Sequence, residues 1–225
     1  MQKFVTTAPI STVIDIPAGH IRFIAADRAD TTVEVLPANA SKSRDVKAAE
    51  QTQVVYAESD GVLRITAPEA KNQILGPSGS VEITVQLPAG SHVAAKAASA
   101  ELRGVGRLGE VVFEGAQGSV KLDETAGARL TLLAGDIAVG RLGGPAEIST
   151  QKGDLRITEA VYGTVTLRTE AGNVEVGAAR GVSASLDGGT GYGRIHNALR
   201  NAEGAGAALT IHATTTYGDI TARSL

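Results

Sequence analysis

The chain has 225 residues, a net charge of −3 with acidic and basic residues well mixed, and no cysteine. That length suits one continuous all-β domain. The charge excludes a basic stripe for nucleic acid, and the missing cysteines exclude disulfide staples and thiolate metal sites. Only seven residues are aromatic against 27 glycines, so the core is expected to be aliphatic and thin, without a deep ligand cavity.

The N-terminus, Met1-Gln-Lys-Phe-Val-Thr-Thr-Ala-Pro9, has no apolar leader, and no stretch approaches the ~20 apolar residues of a membrane span. A cytoplasmic protein without a membrane span is the expectation. The first ninety residues form an N-terminal β-sheet region, because apolar and polar residues alternate in Thr12–Ile16, His20–Ile24, Thr32–Val35, Val62–Ile65 and Val81–Leu87. Two of these runs end alike, at Ile16-Pro-Ala-Gly19-His20 and Leu87-Pro-Ala-Gly90-Ser-His92, where Pro and Gly predict a reversal or corner. The stretch 38–51 breaks the alternation with helix formers and capping serines, which predicts a short helix or long loop. Residues 69–80, with Gly76-Pro and Ser78-Gly-Ser80, read as a second loop.

From residue 91 to 225 a repeat takes over. Gly-x-φ-x-φ, with φ aliphatic, occurs at Gly118-Ser-Val120-Lys-Leu122, Gly135-Asp-Ile137-Ala-Val139, Gly153-Asp-Leu155-Arg-Ile157 and Gly172-Asn-Val174-Glu-Val176. Weaker copies stand at Gly193-Arg-Ile195 and Gly218-Asp-Ile220, and the successive spacings are 17, 18, 19, 21 and 25 residues. A stacked architecture explains this period, with one strand before each glycine and one after it. The predicted fold is therefore all-β, a single-stranded β-solenoid of about two strands per turn that follows the N-terminal sheet region. Alternation sends the φ residues inward as stacked columns, glycine makes the corner, and Thr150, Thr169, Thr190 and Thr215 can bond a corner backbone group. The hexapeptide acyltransferase helix is excluded, since its aliphatic residue at every sixth position is missing.

Taken together, Val81–Gly90, Ala100–Gly109 and the Thr-x-x-Gly-Asp/Asn-φ-x-φ units resemble the bacterial putative-adhesin family of β-strand-repeat proteins, a domain family of unknown function seen often in actinomycete-type proteins. The resemblance covers nearly the whole chain. It implies an architecture and brings no catalytic residues with it.

Several constellations invite a chemical reading, and each has a plainer one. Gly104-Val-Gly106-Arg-Leu-Gly109 spells a dinucleotide fingerprint, but a strand follows it where a helix is needed. Asp187-Gly-Gly-Thr-Gly-Tyr-Gly193 is similar to a calcium nonapeptide but lacks its Asp. Asp136 above Asp154 in an outward column could hold a cation, whereas Asp after Gly is also an ordinary corner residue. Thr131, Ser149, Thr166, Ser185 and Thr210 suggest a hydroxyl array of the ice-binding kind, without its paired threonines. His20, His92, His196 and His212 have no ligand spacing, and the two that follow the Pro-Ala-Gly turns suggest a shared structural role.

No cofactor, metal or reaction is expected, and the reading is a non-enzymatic scaffold or adhesin-like interaction module. A protein partner or self-association would use the C-terminal edge, around Tyr192, Tyr217, Asp219 and Ile220, because the chain ends on a repeat strand without an evident cap. The alternatives are a bactofilin-like self-assembling protein and a polysaccharide-active β-helix enzyme using the Asp136/Asp154 pair.

Overall fold

The computed structural model describes residues 1–67 and 79–225; the loop expected over 69–80 lies outside the described residues except for its last two. The chain divides into two compact units, Met1–Gly118 and Ser119–Leu225. Both are built of strands.

The first unit contains β1 (Gln2–Val5), β2 (Ser11–Ala26), β3 (Asp30–Pro37), α1 (Ser43–Gln51), β4 (Gln53–Ala57), β5 (Val62–Thr66), β6 (Val81–Pro88) and β7 (His92–Gln117). Its backbone is the long strand β2. On one side β5 pairs parallel with the first half of β2 and β6 with the second, while β7 runs parallel along nearly all of the other side. Strands β3 and β4 add antiparallel to β6 and β5, and β1 adds antiparallel to β3. Parallel stacking is thus present from Ser11 onward. The inward residues Ile14, Ile16, Ile21, Phe23, Leu63, Ile65, Ile83 and Leu102 are at most 2% exposed. Each large aliphatic side chain buried in this way contributes roughly 1.5–3 kcal/mol.

The two Pro-Ala-Gly segments are used differently. The first is a corner inside β2, where a side chain at Gly19 would overlap the Val81 backbone. The second is the β6–β7 turn, with Gly90 at φ +83°. There the Ser91 hydroxyl donates to the Pro88 carbonyl at 2.7 Å and accepts the Ile10 N–H at 3.0 Å. The histidines after these turns also differ: His20 faces Glu101 at 3.2 Å, whereas His92 Nδ1 accepts the Glu110 N–H at 3.0 Å.

Helix α1 fills the break over 38–51, but no serine caps it: the residue before its first turn is Lys42, and no side chain bonds there. Its anchor is the buried Asp45, whose carboxylate accepts the Ser80 N–H at 3.0 Å. At the β3 end, the Arg28 guanidinium and then the Lys3 ammonium hold the Asp30 carboxyl down to about 2. The fingerprint glycines Gly104, Gly106 and Gly109 lie within β7, where Gly106 passes against the Ala25 carbonyl. Gly106 and Gly109 serve close backbone contact, the latter against the Gly90 carbonyl.

The second unit contains β8 (Val120–Ala134), β9 (Ile137–Leu142), β10 (Ala146–Lys152), β11 (Leu155–Ala160), β12 (Gly163–Ala171), β13 (Val174–Ala178), β14 (Ala184–Tyr192), β15 (Ile195–Ala198), β16 (Leu209–Tyr217) and β17 (Ile220–Ser224). They form two parallel columns. Before the corner the order is β8, β10, β12, β16, β14; after it the order is β8, β9, β11, β13, β17, β15. The last rung of the chain is therefore inserted beneath the one that precedes it in sequence.

The inward columns are those expected. Ile137, Leu155, Val174 and Ile220 stack in register and are each 1% exposed, and beside them Val139, Ile157, Val176 and Ala222 do the same. Both columns decay at the final rung, which offers a half-exposed Ile195 and then Asn197.

Candidate functional site

The repeat corners in the second unit are held by three sets of contacts, made by the glycine, the threonine and the polar residue of the motif. The glycines stack in the order Gly135, Gly153, Gly172, Gly218, Gly193, and a Cβ on each of the later four would overlap the carbonyl of the one before. At Gly153 the backbone also adopts φ +147°, which side chains disfavour. The threonine three residues earlier donates its hydroxyl to the glycine carbonyl of the adjacent rung: Thr169 to Gly153 at 3.1 Å, Thr215 to Gly172 at 2.9 Å and Thr190 to Gly218 at 2.9 Å. Thr150 makes the same bond to Gly135 at 3.3 Å.

The polar residue after the glycine makes the third set. Asp136 Oδ1 accepts the Asp154 N–H at 2.9 Å, Asp154 Oδ1 the Asn173 N–H at 2.7 Å, Asn173 Oδ1 the Asp219 N–H at 2.9 Å, and Asp219 Oδ1 the Arg194 N–H at 2.8 Å. In the opposite direction, Ile137, Leu155, Val174 and Ile220 donate their N–H groups to the backbone carbonyls of Asp154, Asn173, Asp219 and Arg194. The Asp136/Asp154 pair is thus part of a side-chain ladder, with one oxygen of each carboxylate committed to the next rung. Among the described residues no group of three or more His, Asp or Glu side chains is placed to hold a metal. Arg194 ends the ladder, because a guanidinium has no acceptor to pass on.

The structure separates the residues expected at a C-terminal edge. Ile220 is 1% exposed and Asp219 lies within the ladder, since β16 and β17 are paired on both sides. The strand that ends the chain is not the open one. The outermost rung is β14/β15, and among the described residues its far side has no strand partner. What remains exposed are Tyr192 and Tyr217, in register on neighbouring rungs, with centroids 5.0 Å apart and ring planes within 5°. Their exposures are 70% and 58%. Asp187 also lies on the open rung, 3.3 Å from His212.

Two other groupings fall apart. The hydroxyl array does not form one column: Ser149 is in register with Thr131 and Arg168, while Thr166 pairs with Glu147 and His212. The segment similar to a calcium loop is the edge strand β14.

Running down the outside of the corner from the tyrosines is an open groove of about 510 Å³, lined by Leu133, Lys152, Glu170, Ala171 and Tyr217 among others. Sequence reasoning did not find it, because its residues are one or two positions before each corner glycine and share no residue type.

No helix among the described residues is long and apolar enough to cross a membrane. No curated protein sequence matches the chain. Solved structures similar to it include a "putative adhesin" from Parabacteroides distasonis (TM-score 0.48, 15% identity, covering 98% of this chain and 95% of that one). A second, from Bacteroides fragilis, has a TM-score of 0.47 and 11% identity over 98% of this chain and 95% of the other. A "putative cell adhesion protein" from Clostridium sporogenes has a TM-score of 0.40 and 11% identity over 100% and 98%. The family model described as Toastrack DUF4097 matches residues 12–224, in agreement with the strand-repeat resemblance of the sequence, and the chain belongs to that family.

Proposed function

We propose that this protein is a non-enzymatic interaction scaffold whose binding end is the β14/β15 rung, and that the partner it takes there is a second copy of itself. The observation that carries this reading is the outer side of β14/β15, unpaired among the described residues, a row of backbone donors and acceptors beside the exposed Ile195 and Tyr192. The polar residues of the repeat support a scaffold role, since their hydroxyls and carboxylates are spent on holding rungs together. A copy turned end over end lays β15 antiparallel against β14, so the backbone donors and acceptors of each edge meet those of the other.

Light scattering over a concentration series tests the proposal. The expected result is a mass that rises toward a dimer and falls back to the monomer in Ile195→Lys, which places a charge on the open rung without entering the core. A strictly monomeric wild-type protein across the series, or association unchanged in Ile195→Lys, would overturn it.

A further inference from the structure

The groove beside the tyrosine stack has a slot of defined dimensions. Ring planes that stack across neighbouring rungs lie across the column, so one face of Tyr217 is covered by Tyr192 and the other is turned toward the next rung. That rung carries Ala171, in register with Tyr217, and the one beyond it carries Lys152. Rungs are ~4.8 Å apart. The small Ala171 therefore leaves a gap of about two rungs, ~10 Å, between the Tyr217 face and the level of Lys152. A ring laid on Tyr217 over the Ala171 methyl fits it. Glu170 and Lys152 flank the slot, and neither is in an ion pair among the described residues.

We infer that this slot binds one ring of a neutral sugar chain. The face of a tyrosine is the negative side of its quadrupole and attracts the weakly positive C–H bonds on the flat face of a pyranose. The free carboxylate and ammonium then accept from and donate to neighbouring hydroxyls, each charge-assisted bond stronger than a neutral one. Their charges cancel, so the slot exerts no net pull on a phosphate or an acidic sugar. The groove is open along its length and its lining is largely exposed, which excludes an acyl chain or other ligand that must be buried to bind. A chain of sugars can leave the slot along the groove toward Leu133. This inference is independent of self-association, because the slot faces the corner and not the free side of β14.

Isothermal titration calorimetry reads the binding without depending on the emission of the tyrosines that the variants remove or add. The probes are cellohexaose, maltohexaose and chitohexaose, each titrated against the full chain, with N-acetyl-tyrosinamide as the aromatic competitor. At least one hexasaccharide is expected to give a saturable change with a dissociation constant of about 0.1–1 mM, as suits a shallow site. Tyr217→Ala should weaken it at least tenfold, Tyr217→Phe should retain it, and Tyr162→Ala should leave it unchanged. Ala171→Tyr is the decisive variant: it fills the slot with a third ring while leaving Tyr217 and the fold in place, and should abolish binding. Saturation by none of the three sugars up to about 5 mM would overturn the inference. So would binding that survives Ala171→Tyr, or saturation by N-acetyl-tyrosinamide alone, which would make the slot a peptide site.

Discussion

Thr12 in β2 is 1% exposed, and its hydroxyl has no hydrogen-bond partner among the described residues. An unpaired buried hydroxyl costs about 1–3 kcal/mol, and valine has the same shape without it. Thr12→Val should therefore stabilise the first unit by about 1 kcal/mol, read as a shift of the denaturant midpoint at unchanged slope. A lower midpoint would mean that the hydroxyl is satisfied. The corner threonines face the same choice and resolve it the other way: Thr169 and Thr215 are nearly as buried, but each has a glycine carbonyl to bond. That role was readable from the sequence because the Thr-to-Gly spacing is fixed at three residues in four successive units. Thr12 has no such repeat around it, and alternation alone places it on the buried face without saying what it meets there.

The rung is the element on which stability rests, and its cross-links are the Asx ladder, the threonine bonds and the glycine contacts. Asn173 already occupies the ladder among aspartates and makes an equivalent bond, so the working atom is Oδ1 and not the negative charge. Asp154→Asn should accordingly be near neutral, while Asp154→Ala removes the acceptor from the Asn173 N–H and should cost about 1 kcal/mol. Thermal unfolding of the pair measures the difference. A loss in Asp154→Asn as large as in Asp154→Ala would show that charge matters there. The existence of the ladder was only half legible. The sequence shows a polar residue after each glycine, but it cannot show whether that side chain turns outward to bind a cation or back along its own column, because both follow from the same spacing.

At the scale of the whole chain, the strands, the corner and the inward columns were legible because parallel stacking writes the same residues at the same offset in every rung. The order of the rungs was not. Pairing between rungs depends on matching aliphatic and Asx positions, and any rung matches any other, so chain order is the default reading. The one trace was the period: the steps of 21 and 25 residues mark connections at 179–183 and 199–208, the first skipping a rung position and the second returning to it. The second is tied down by Ser183, whose hydroxyl accepts the Glu203 N–H at 3.1 Å and bonds Asn201 Oδ1 at 3.1 Å. Insertion makes β16/β17 the clasp of the second unit, since Leu209, Ile211 and Ile220 are buried between rungs that do not otherwise touch as strands. At roughly 1.5–3 kcal/mol each, these three side chains represent a large share of the 5–15 kcal/mol that holds an ordinary domain together. A chain shortened to residues 1–208 should therefore lose more than its last rung: amides of 184–198, though not themselves deleted, should exchange hydrogen within seconds while those of β9 and β11 stay protected longer. A stack built in chain order gives the opposite pattern, with 184–198 still bonded to β12 and β13, and protection of that segment in the shortened chain would refute the inserted rung as the element that holds the edge in place.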